Sequence, residues 1–487
     1  MLTALIPRGA TERLEIRLRA LGQMLTKDQA SEIFGRIQKH STADQIEVYF
    51  HGGRSALTRF ANNVIHQNVA EENYGVSVRT VFDGRTARAS TNKLDGESLQ
   101  RVVLASERLA QVQRPDPDLL PMPGPQDRDG ANTRTTPLAS RHFAETAAVT
   151  PEDRADGVAR MVAVAHRHQL TSAGVFSSSE SIEGIFNSRG LCDWHTQTSA
   201  EVSVTMLAKN SSGWKKANSP DLRNLDPLQL AETAAHKAIS SAGPREFPAG
   251  KYTVILEPAA VLDIVGFMFW DFAGQAVLDE RSFLNNRIGT QLFGDNVDIS
   301  DDVAHPLQSG PPFDGEGMRR QPVPLVEKGV VKRVVYARAT AEKMKKSPYA
   351  SKVGAIAPTG HGFLLPNEMG EMPVNIVFGE PAQPQTVEQM ICSTERGVLV
   401  TRLWYIREVD PYEKILTGMT RDGTFLVENG RVTGGIRNFR FNESLIHMLS
   451  NVEAMAKPVR ASGEESFDMV APAMKVKNFN FTEVTKF

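Results

Sequence analysis

Histidine and cysteine are the side chains of this sequence best suited to hold a metal ion or to act in nucleophilic catalysis. Cys192 and His195 lie three residues apart in Leu-Cys-Asp-Trp-His, a spacing that can place two ligands on one ion. A zinc site needs at least three protein donors, and no second pair accompanies these two. A structural role is therefore the favoured interpretation, with a metal or hydrolase site as the alternative. His166 and His168 are predicted to point to different sides of one helix, where they cannot chelate an ion together.

Signatures of several common enzyme classes are absent from the sequence. It contains no G-x-x-x-x-G-K-[ST] phosphate loop, no G-x-G-x-x-G, no G-x-S-x-G and no H-E-x-x-H. Motif spacing alone therefore leads no further than a soluble protein that contains both helices and sheets.

Composition narrows the class of protein. The 487 residues include 55 basic and 57 acidic side chains, so the formal net charge is −2 and gives no reason to expect a nucleic acid or a membrane surface as partner. Two cysteines fit a reducing cytosol, and Met1–Gly9 lacks the apolar region of a signal peptide. The most apolar stretch, Pro258–Trp270, is interrupted by Asp263 and is too short to span a bilayer. We therefore expect a cytoplasmic protein.

The elements that must position any site begin with an N-terminal α/β domain over residues 1–245. Thr26 and Thr150 each open a helix with a capping pattern, and Asp83-Gly84 is the turn of a hairpin that spans Tyr74–Thr91. Six prolines in residues 113–138 predict an extended connection, either a boundary or a strap across the surface.

A second, β-rich domain is predicted over residues 246–487, which makes the fold class α+β. Tyr252–Leu256 is typical of a buried strand, and an apolar helix follows over residues 258–273. Lys328-Gly329 and Asn429-Gly430 predict hairpin turns. Asn442 is predicted to cap a helix that ends near Ala454, before a final strand at Lys475–Thr482.

Several segments of the chain resemble the TldD/PmbA family. The most specific is Glu395–Tyr405 (ERGVLVTRLWY). Others are Tyr252–Pro258, Arg281–Leu284, Asp295–Val297 through Asp302, Pro312–Gly317, Val326–Val330, Asp410-Pro411, Thr417-Gly418, Thr420–Gly423 and Phe439–Leu445. The first half contributes Leu57–Asn63 and Gly75–Arg79. The resemblance covers about residues 25–460.

The resemblance implies both the two-domain fold and an activity. TldD subunits of this family are zinc peptidases that use H-E-x-x-x-H with a further cysteine ligand, whereas TldE/PmbA-type subunits lack the motif and pair with TldD. The complex is expected to degrade or process unfolded or small peptides, which reach a buried site as extended strands.

The resemblance also implies where the zinc motif would stand in this chain. Its two histidine positions fall near Val265 and Trp270, in a stretch that contains no histidine, glutamate or cysteine. Hydrocarbon and indole offer zinc no lone pairs, and no carboxylate remains there to take a proton from water. Residues 258–273 are expected to form a core helix instead. The sequence is thus identified as a TldE/PmbA-type member, with no catalytic residue and no bound cofactor of its own.

Three functions follow from these observations. The first is a non-catalytic partner of a TldD-like subunit that carries the zinc, with a homodimer when that partner is missing. Arg402, Trp404, Tyr405 and Arg421 would line the peptide channel, or would be internal strand residues. The second is a stand-alone peptidase or hydrolase. The third is a protein-interaction module that modulates DNA gyrase.

Overall fold

The computed structural model describes residues 24–128 and 138–485 of the chain. In the first half the elements are α1 Lys27–His40, β1 Gln45–Ala61, β2 Val64–Phe82, β3 Arg85–Thr91, α2 Gly96–Gln111, α3 Ala144–Ala147, α4 Pro151–Arg167, β4 Thr171–Asn187, β5 Cys192–Leu207, β6 Ser212–Ser219 and α5 Pro227–Ser240. In the second half they are β7 Gly250–Leu256, α6 Pro258–Val265, a 3₁₀ segment Gly266–Phe272, α7 Gly274–Leu278, β8 Ile299–Asp301, β9 Val323–Glu327, β10 Val330–Val331, α8 Arg338–Lys345, β11 Ile376–Phe378, α9 Val387–Cys392, β12 Arg396–Asp410, β13 Ile415–Glu428, β14 Arg431–Gly435, β15 Phe439–Ser444, α10 Leu445–Ser450, β16 Val452–Met455, β17 Val459–Ala461, β18 Met469–Ala471 and β19 Met474–Val484.

One antiparallel sheet, in the order β3-β2-β1-β4-β5-β6, organises the first half. Gly52 and Gly53 lie in the middle of β1 with backbone φ angles of 132° and 146°, which residues other than glycine rarely adopt. A Cβ at Gly52 would lie 2.1 Å from the carbonyl oxygen of Asn73, and one at Gly53 2.0 Å from that of Glu180. Only glycine therefore lets the neighbouring strands approach at this point.

Two pairs of helices cover one face of this sheet, one pair on each side of the two glycines. Helices α1 and α2 bury side chains such as Ile33 and Val102 against Val48, and α4 and α5 bury Met161 and Ala234 near β4 and β5. The sheet is continuous through both cores, so the first half is a single layered α/β unit.

The second half contains a closed ring of strands and a second sheet. Strands β12, β7, β19, β15 and β13 pair in that order, and β13 pairs again with β12 to close the ring. The other sheet has the order β10-β9-β8-β11-β18-β17. Helix α6 packs against β12 of the ring and against β17 and β18 of the second sheet. The predicted α+β fold class is confirmed.

Local signals predicted several elements correctly. Thr26 and Thr150 each form the predicted capping box. The turns Asp83-Gly84 and Asn429-Gly430 have positive φ at both residues, as a tight hairpin turn requires. The strand at Tyr252–Leu256 is β7.

Two predicted helices differ in the structure. Asn442 is not a cap: it lies in β15 opposite Thr417, Ser444 caps the short α10, and residues 452–455 form a strand. The predicted helix over residues 258–273 ends as an α-helix at Val265 and continues as the 3₁₀ segment, and the 462–468 loop lies directly on the junction. A Cβ at Gly266 would stand 1.8 Å from Ser466 Oγ.

The proline-rich connection is a strap where the structure describes it. The backbone N–H of Met122 donates to Gln45 Oε1 at 2.8 Å, and Asn187 donates to the carbonyl of Pro123 at 2.9 Å. Residues 129–137 of the connection and the N-terminal segment Met1–Gly9 lie outside the described residues. Within the described ranges, no helix is both long and apolar enough to cross a membrane.

Candidate functional site

The segment that carries the expected zinc positions lies between the ring of strands and the second sheet. Val265, the last residue of α6, is completely buried in the main core. Trp270 is 48% exposed, which corrects the expectation of a helix buried on every side. The cause is the tighter winding after Gly266: a 3₁₀ segment has three residues per turn, so Trp270 falls on a different side from the buried face of α6.

Asp263 is the carboxylate closest in sequence to Val265, and it is fully buried. Its Oδ1 accepts the backbone N–H groups of Glu464 and Glu465, both at 3.0 Å, while its Oδ2 has no hydrogen-bond partner. Burial raises the pKa of Asp263 to about 6, although the two N–H groups favour the ionised form. This carboxyl group therefore fastens the 462–468 loop to α6.

Asp271 is held in an ion triad in which Asp271 and Lys414 are buried and Glu408 lies at the surface. Its Oδ2 lies 2.5 Å from Lys414 Nζ, and the same ammonium lies 2.6 Å from Glu408 Oε2. Burial raises the pKa of Asp271, and Lys414 opposes that shift. Asp271 also accepts the backbone N–H of Phe283 at 3.1 Å. Its oxygens are thus committed to protein donors.

A cleft of about 450 Å³ opens beside these groups. Its walls combine aromatic rings with charged groups that have partners inside the protein. They are formed by Gly266, Phe267, Trp270, Asp271, Ala276, Arg281, Glu408, Pro411, Lys414, Glu465, Ser466 and Phe467. Such walls can hold an apolar or extended chain.

These residues do not fit the zinc ion that the resemblance places in the TldD type of subunit. Zinc requires three or four nitrogen, sulfur or oxygen donors that converge on one point. Val265 and Trp270 supply none, and Asp263 contributes a single buried oxygen without a hydrogen-bond partner. Across residues 24–128 and 138–485, no group of three histidine, cysteine or acidic side chains is arranged to hold a metal. No catalytic step through zinc is derived for this chain.

The four proposed channel residues lie close together, in different environments. Arg402 is buried, donates from Nε to Asp422 Oδ2 at 2.8 Å, and lies over the rings of Trp214 and Trp404 at 4.7 and 5.2 Å. It is therefore an internal residue rather than one open to a channel. Arg421 is exposed, and its guanidinium also lies over Trp404, 5.0 Å from the centre of the ring.

Tyr405 is 56% exposed and lies at a bulge of β12 with φ of 55°. Its backbone N–H donates to Glu465 Oε1 at 2.8 Å, and that of Ile406 donates to Oε2 at 3.3 Å. The 462–468 loop is therefore also fastened to β12 at this bulge, and the guanidinium of Arg407 lies over the exposed Tyr405 ring, 4.5 Å from its centre.

Cys192 and His195 do not form a metal site. They lie three residues apart on β5, so their side chains point to opposite faces of the sheet. Cys192 is exposed, and partial burial raises the pKa of its thiol, which disfavours a nucleophilic thiolate. His195 is buried, which lowers its pKa to about 4, and its Nε2 lies 3.4 Å from Gln197 Oε1.

Sequence inspection missed the Asp271–Lys414–Glu408 triad. Asp271 and Lys414 are far apart in the chain, so no spacing connects them. The available signal was a pair of carboxylates, Asp263 and Asp271, inside an otherwise apolar stretch, because buried carboxylates need partners.

Replacing Asp263 by asparagine should alter how stability depends on pH. The amide keeps an acceptor oxygen for the two N–H groups but cannot ionise. Because the pKa in the folded state, about 6, lies above the ordinary 3.8, the stability this group contributes is present below about pH 4 and is lost as pH rises through about 6. The difference in unfolding free energy between wild type and Asp263→Asn should therefore change by up to about 3 kcal/mol between pH 4 and pH 7. Urea unfolding measures it, and a difference independent of pH would contradict the assignment.

Comparison with known proteins places this architecture in a family. Residues 46–110 match PmbA/TldA metallopeptidase domain 1, residues 144–242 match the central domain, and residues 249–483 match the C-terminal domain. The first two matches divide the predicted N-terminal domain, although a single sheet runs through both.

Curated relatives and solved structures agree with these matches. Metalloprotease PmbA of Escherichia coli O157:H7 is 23% identical over 439 residues, which cover 87% of this chain and 90% of that protein. A metalloprotease PmbA homolog of Haemophilus influenzae is 23% identical over 404 residues, or 81% of this chain and 83% of that one.

Two crystal structures share the fold over almost the whole chain. TldE from Thermococcus kodakarensis superposes with a TM-score of 0.78 at 18% identity, covering 93% of this chain and 100% of that one. A putative modulator of a DNA gyrase from Thermotoga maritima superposes with a TM-score of 0.77 at 20% identity, covering 93% of this chain and 99% of that one. With all three domains matched in order, this chain belongs to the PmbA/TldD metallopeptidase family.

Proposed function

We propose that this chain is the non-catalytic subunit of a TldD/TldE-type metalloprotease complex that degrades or processes unfolded or small peptides in the cytosol. The zinc and the catalytic residues then belong to a TldD-like partner. The observation that carries the proposal is the donor chemistry of the family's metal segment, where Val265 is buried in hydrocarbon and Trp270 presents an indole. Asp263 and Asp271, the nearby carboxylates, hold the 462–468 loop and Lys414 instead.

Exposed apolar side chains around the cleft fit a role in binding another protein. Trp270 is about half exposed, lines the cleft and lies 6.0 Å from the ring of Phe363. Val409 and Tyr412, also about half exposed, each follow directly in the chain a residue that lines the cleft, Glu408 and Pro411. Large exposed apolar groups that cluster on a folded protein mark interaction surfaces. Aromatic anchors contribute much of the binding energy at such surfaces. The rim of the cleft is therefore the proposed contact for the TldD-like subunit or for the peptide it processes.

Trp270→Glu should weaken binding to the TldD-like partner at least about tenfold, because it places a charge where an indole would be desolvated. The side chain is already half exposed, so the fold should tolerate the change. Sedimentation of the mixed subunits measures the dissociation constant.

Two matched variants make this result specific. Trp270→Phe keeps an aromatic ring and should bind nearly as wild type. Leu228→Glu introduces the same charge at an apolar side chain on α5 that is 42% exposed, and it should have no effect. Equal dissociation constants for Trp270→Glu and Leu228→Glu would remove the rim from the proposed interface.

A further inference from the structure

The first half of β2 is an open sheet edge. Strand β3 pairs with β2 only from Val76 to Phe82, whereas β2 begins at Val64. On the side of residues 64–75 that faces away from β1, no strand or isolated bridge of the described chain is paired. Backbone N–H and C=O groups along this edge are available to another strand.

The opposite edge of the same sheet is covered by the second half of the chain. On β6, Asn218 donates to Ser462 Oγ at 3.1 Å, and Ser212 donates to Asp422 Oδ1 at 2.6 Å. Lys216 Nζ donates to the carbonyl of Gly463 at 3.2 Å. The sheet can therefore be extended at β2 and not at β6.

Few of the features that normally protect an edge occur on β2. Residues 64–75 (VIHQNVAEENYG) contain no proline and no lysine, two of the usual means by which sheet edges avoid pairing, and their only acidic side chains are Glu71 and Glu72. One irregularity exists: the register with β1 shifts between Arg59 and Phe60, which leaves His66 as an extra residue near the hairpin tip. From Gln67 to Gly75 the edge runs without a break.

We propose that this edge pairs antiparallel with the same edge of a second copy of this chain, about a two-fold axis at Val69. When two identical strands pair antiparallel about a two-fold axis perpendicular to the sheet, the residue numbers of any two facing residues add up to the same total. Centring on Val69 places Val64 of one copy opposite Tyr74 of the other. The incoming strand then ends where β3 begins, whereas centring on Ala70 would bring Val64 against Val76, which β3 already flanks.

The side chains that this register brings together are complementary. Gln67 of each copy faces Glu71 of the other, and Val69 meets its own counterpart at the axis. The Oε1 atom of Gln67 is already 3.5 Å from Arg59 Nη1, so its amide N–H₂ remains to donate to the carboxylate. Centring on Glu71 or Glu72 would instead oppose like charges, which destabilises a strand pair. Length and charge therefore favour the same register.

This inference does not rest on the proposed function, because it uses the N-terminal sheet and none of the residues around the cleft. It gives the expected homodimer a specific interface and leaves the Trp270 rim for a different partner. The result would be a sheet that continues through two copies of the chain.

A disulfide placed on the axis tests the register directly. In a chain carrying Cys192→Ser and Cys392→Ser, Val69→Cys should cross-link two copies under mild oxidation, because directly opposed residues have Cα atoms about 4.5–5.5 Å apart. Gln67→Cys is the matched control on the same face. Its counterpart lies four residues along the other strand, roughly 13 Å away, so it should not cross-link.

A second variant measures the association itself. Val69→Asp opposes two carboxylates at the axis and should raise the dimer dissociation constant at least about tenfold, while Val69→Thr should not. Analytical sedimentation measures these dissociation constants. In a separate experiment, amide hydrogen exchange should show that residues 67–75 are protected only at concentrations where the dimer forms.

Three results would overturn the proposal. The first is a chain that stays monomeric at every concentration. The second is a dimer in which Val69→Cys cross-links no better than Gln67→Cys. The third is protection of residues 67–75 that does not depend on concentration, since that indicates an occupant from the same chain.

Discussion

Lys414→Met should destabilise the protein by about 3–5 kcal/mol, because it removes the cation that pairs with the buried Asp271 and leaves that carboxylate uncompensated. Lys414 Nζ lies 2.5 Å from Asp271 Oδ2 and 2.6 Å from Glu408 Oε2, and its side chain is 4% exposed. Methionine retains the length of the chain, so the loss is electrostatic rather than a cavity. The midpoint of urea unfolding at constant slope measures it.

Two further variants identify the cause of that loss. Lys414→Met with Asp271→Asn leaves no uncompensated charge on the 3₁₀ segment and should recover part of the stability. Lys343→Met removes an exposed lysine that lies 3.2 Å from Asp118, and it should cost less than about 1 kcal/mol. If Lys414→Met and Lys343→Met have the same effect, the triad does not stabilise the site.

Glu47→Gln should have a comparable effect, about 3 kcal/mol, at the junction of the two halves. Glu47 is fully buried, and its two oxygens accept Arg79 Nη2 at 2.8 Å and Arg88 Nη2 at 2.6 Å. Arg88 also donates from Nε to the carbonyl of Leu365 at 2.7 Å, which connects the first sheet to the second half. Glutamine keeps the shape but leaves two guanidinium groups without a counter-charge.

The pH dependence of this variant has a definite sign. Burial is the largest influence on Glu47 and favours the neutral acid, yet Arg79 and Arg88 together hold its pKa below the ordinary 4.5. The stability from Glu47 is therefore present above about pH 4.5 and is lost as pH falls through the lower pKa of the folded state. The difference in unfolding free energy between wild type and Glu47→Gln should shrink in acid.

The matched control for Glu47 lies on the same sheet. Glu72→Gln changes a carboxylate that pairs with Arg54 at 3.4 Å while both side chains remain more than a third exposed, so it should cost less than about 1 kcal/mol. A Glu47→Gln protein as stable as Glu72→Gln at pH 7 would show that the buried pairs do not hold the junction.

Those parts of the fold that depend on neighbouring residues were predictable from the sequence. Asp83-Gly84 and Asn429-Gly430 specify tight turns through their own backbone preferences, and Thr150 caps α4 through a side chain three residues from its acceptor. Each signal acts within four residues, so a distant partner does not alter it.

Other parts were not predictable, because distant segments decide them. Asn442 has the chemistry of a helix cap, but pairing of β15 with β13 and β19 draws it into a ladder. The polar middle of β4 gives no strand signal of its own, yet the strand runs unbroken from Thr171 to Asn187, because β1 and β5 pair with it along that length.

At the candidate site, the contacts that surround the expected zinc positions were not predictable from the sequence. The assignment of the zinc positions to Val265 and Trp270 follows from the resemblance and stays a prediction. The exposure of Trp270 could not be foreseen, since it depends on how the 462–468 loop meets Gly266. Asp263 and Lys414 likewise acquire their roles only through contacts with segments far along the chain.

Zinc content and peptide cleavage, measured on the same purified full-length chain with and without a TldD-like partner, test the central claim most directly. The account predicts much less than one zinc ion per isolated chain, no cleavage of a denatured peptide by that chain, and cleavage after the partner is added that a chelator abolishes. One zinc ion per isolated chain, together with cleavage in the absence of any partner, would contradict it.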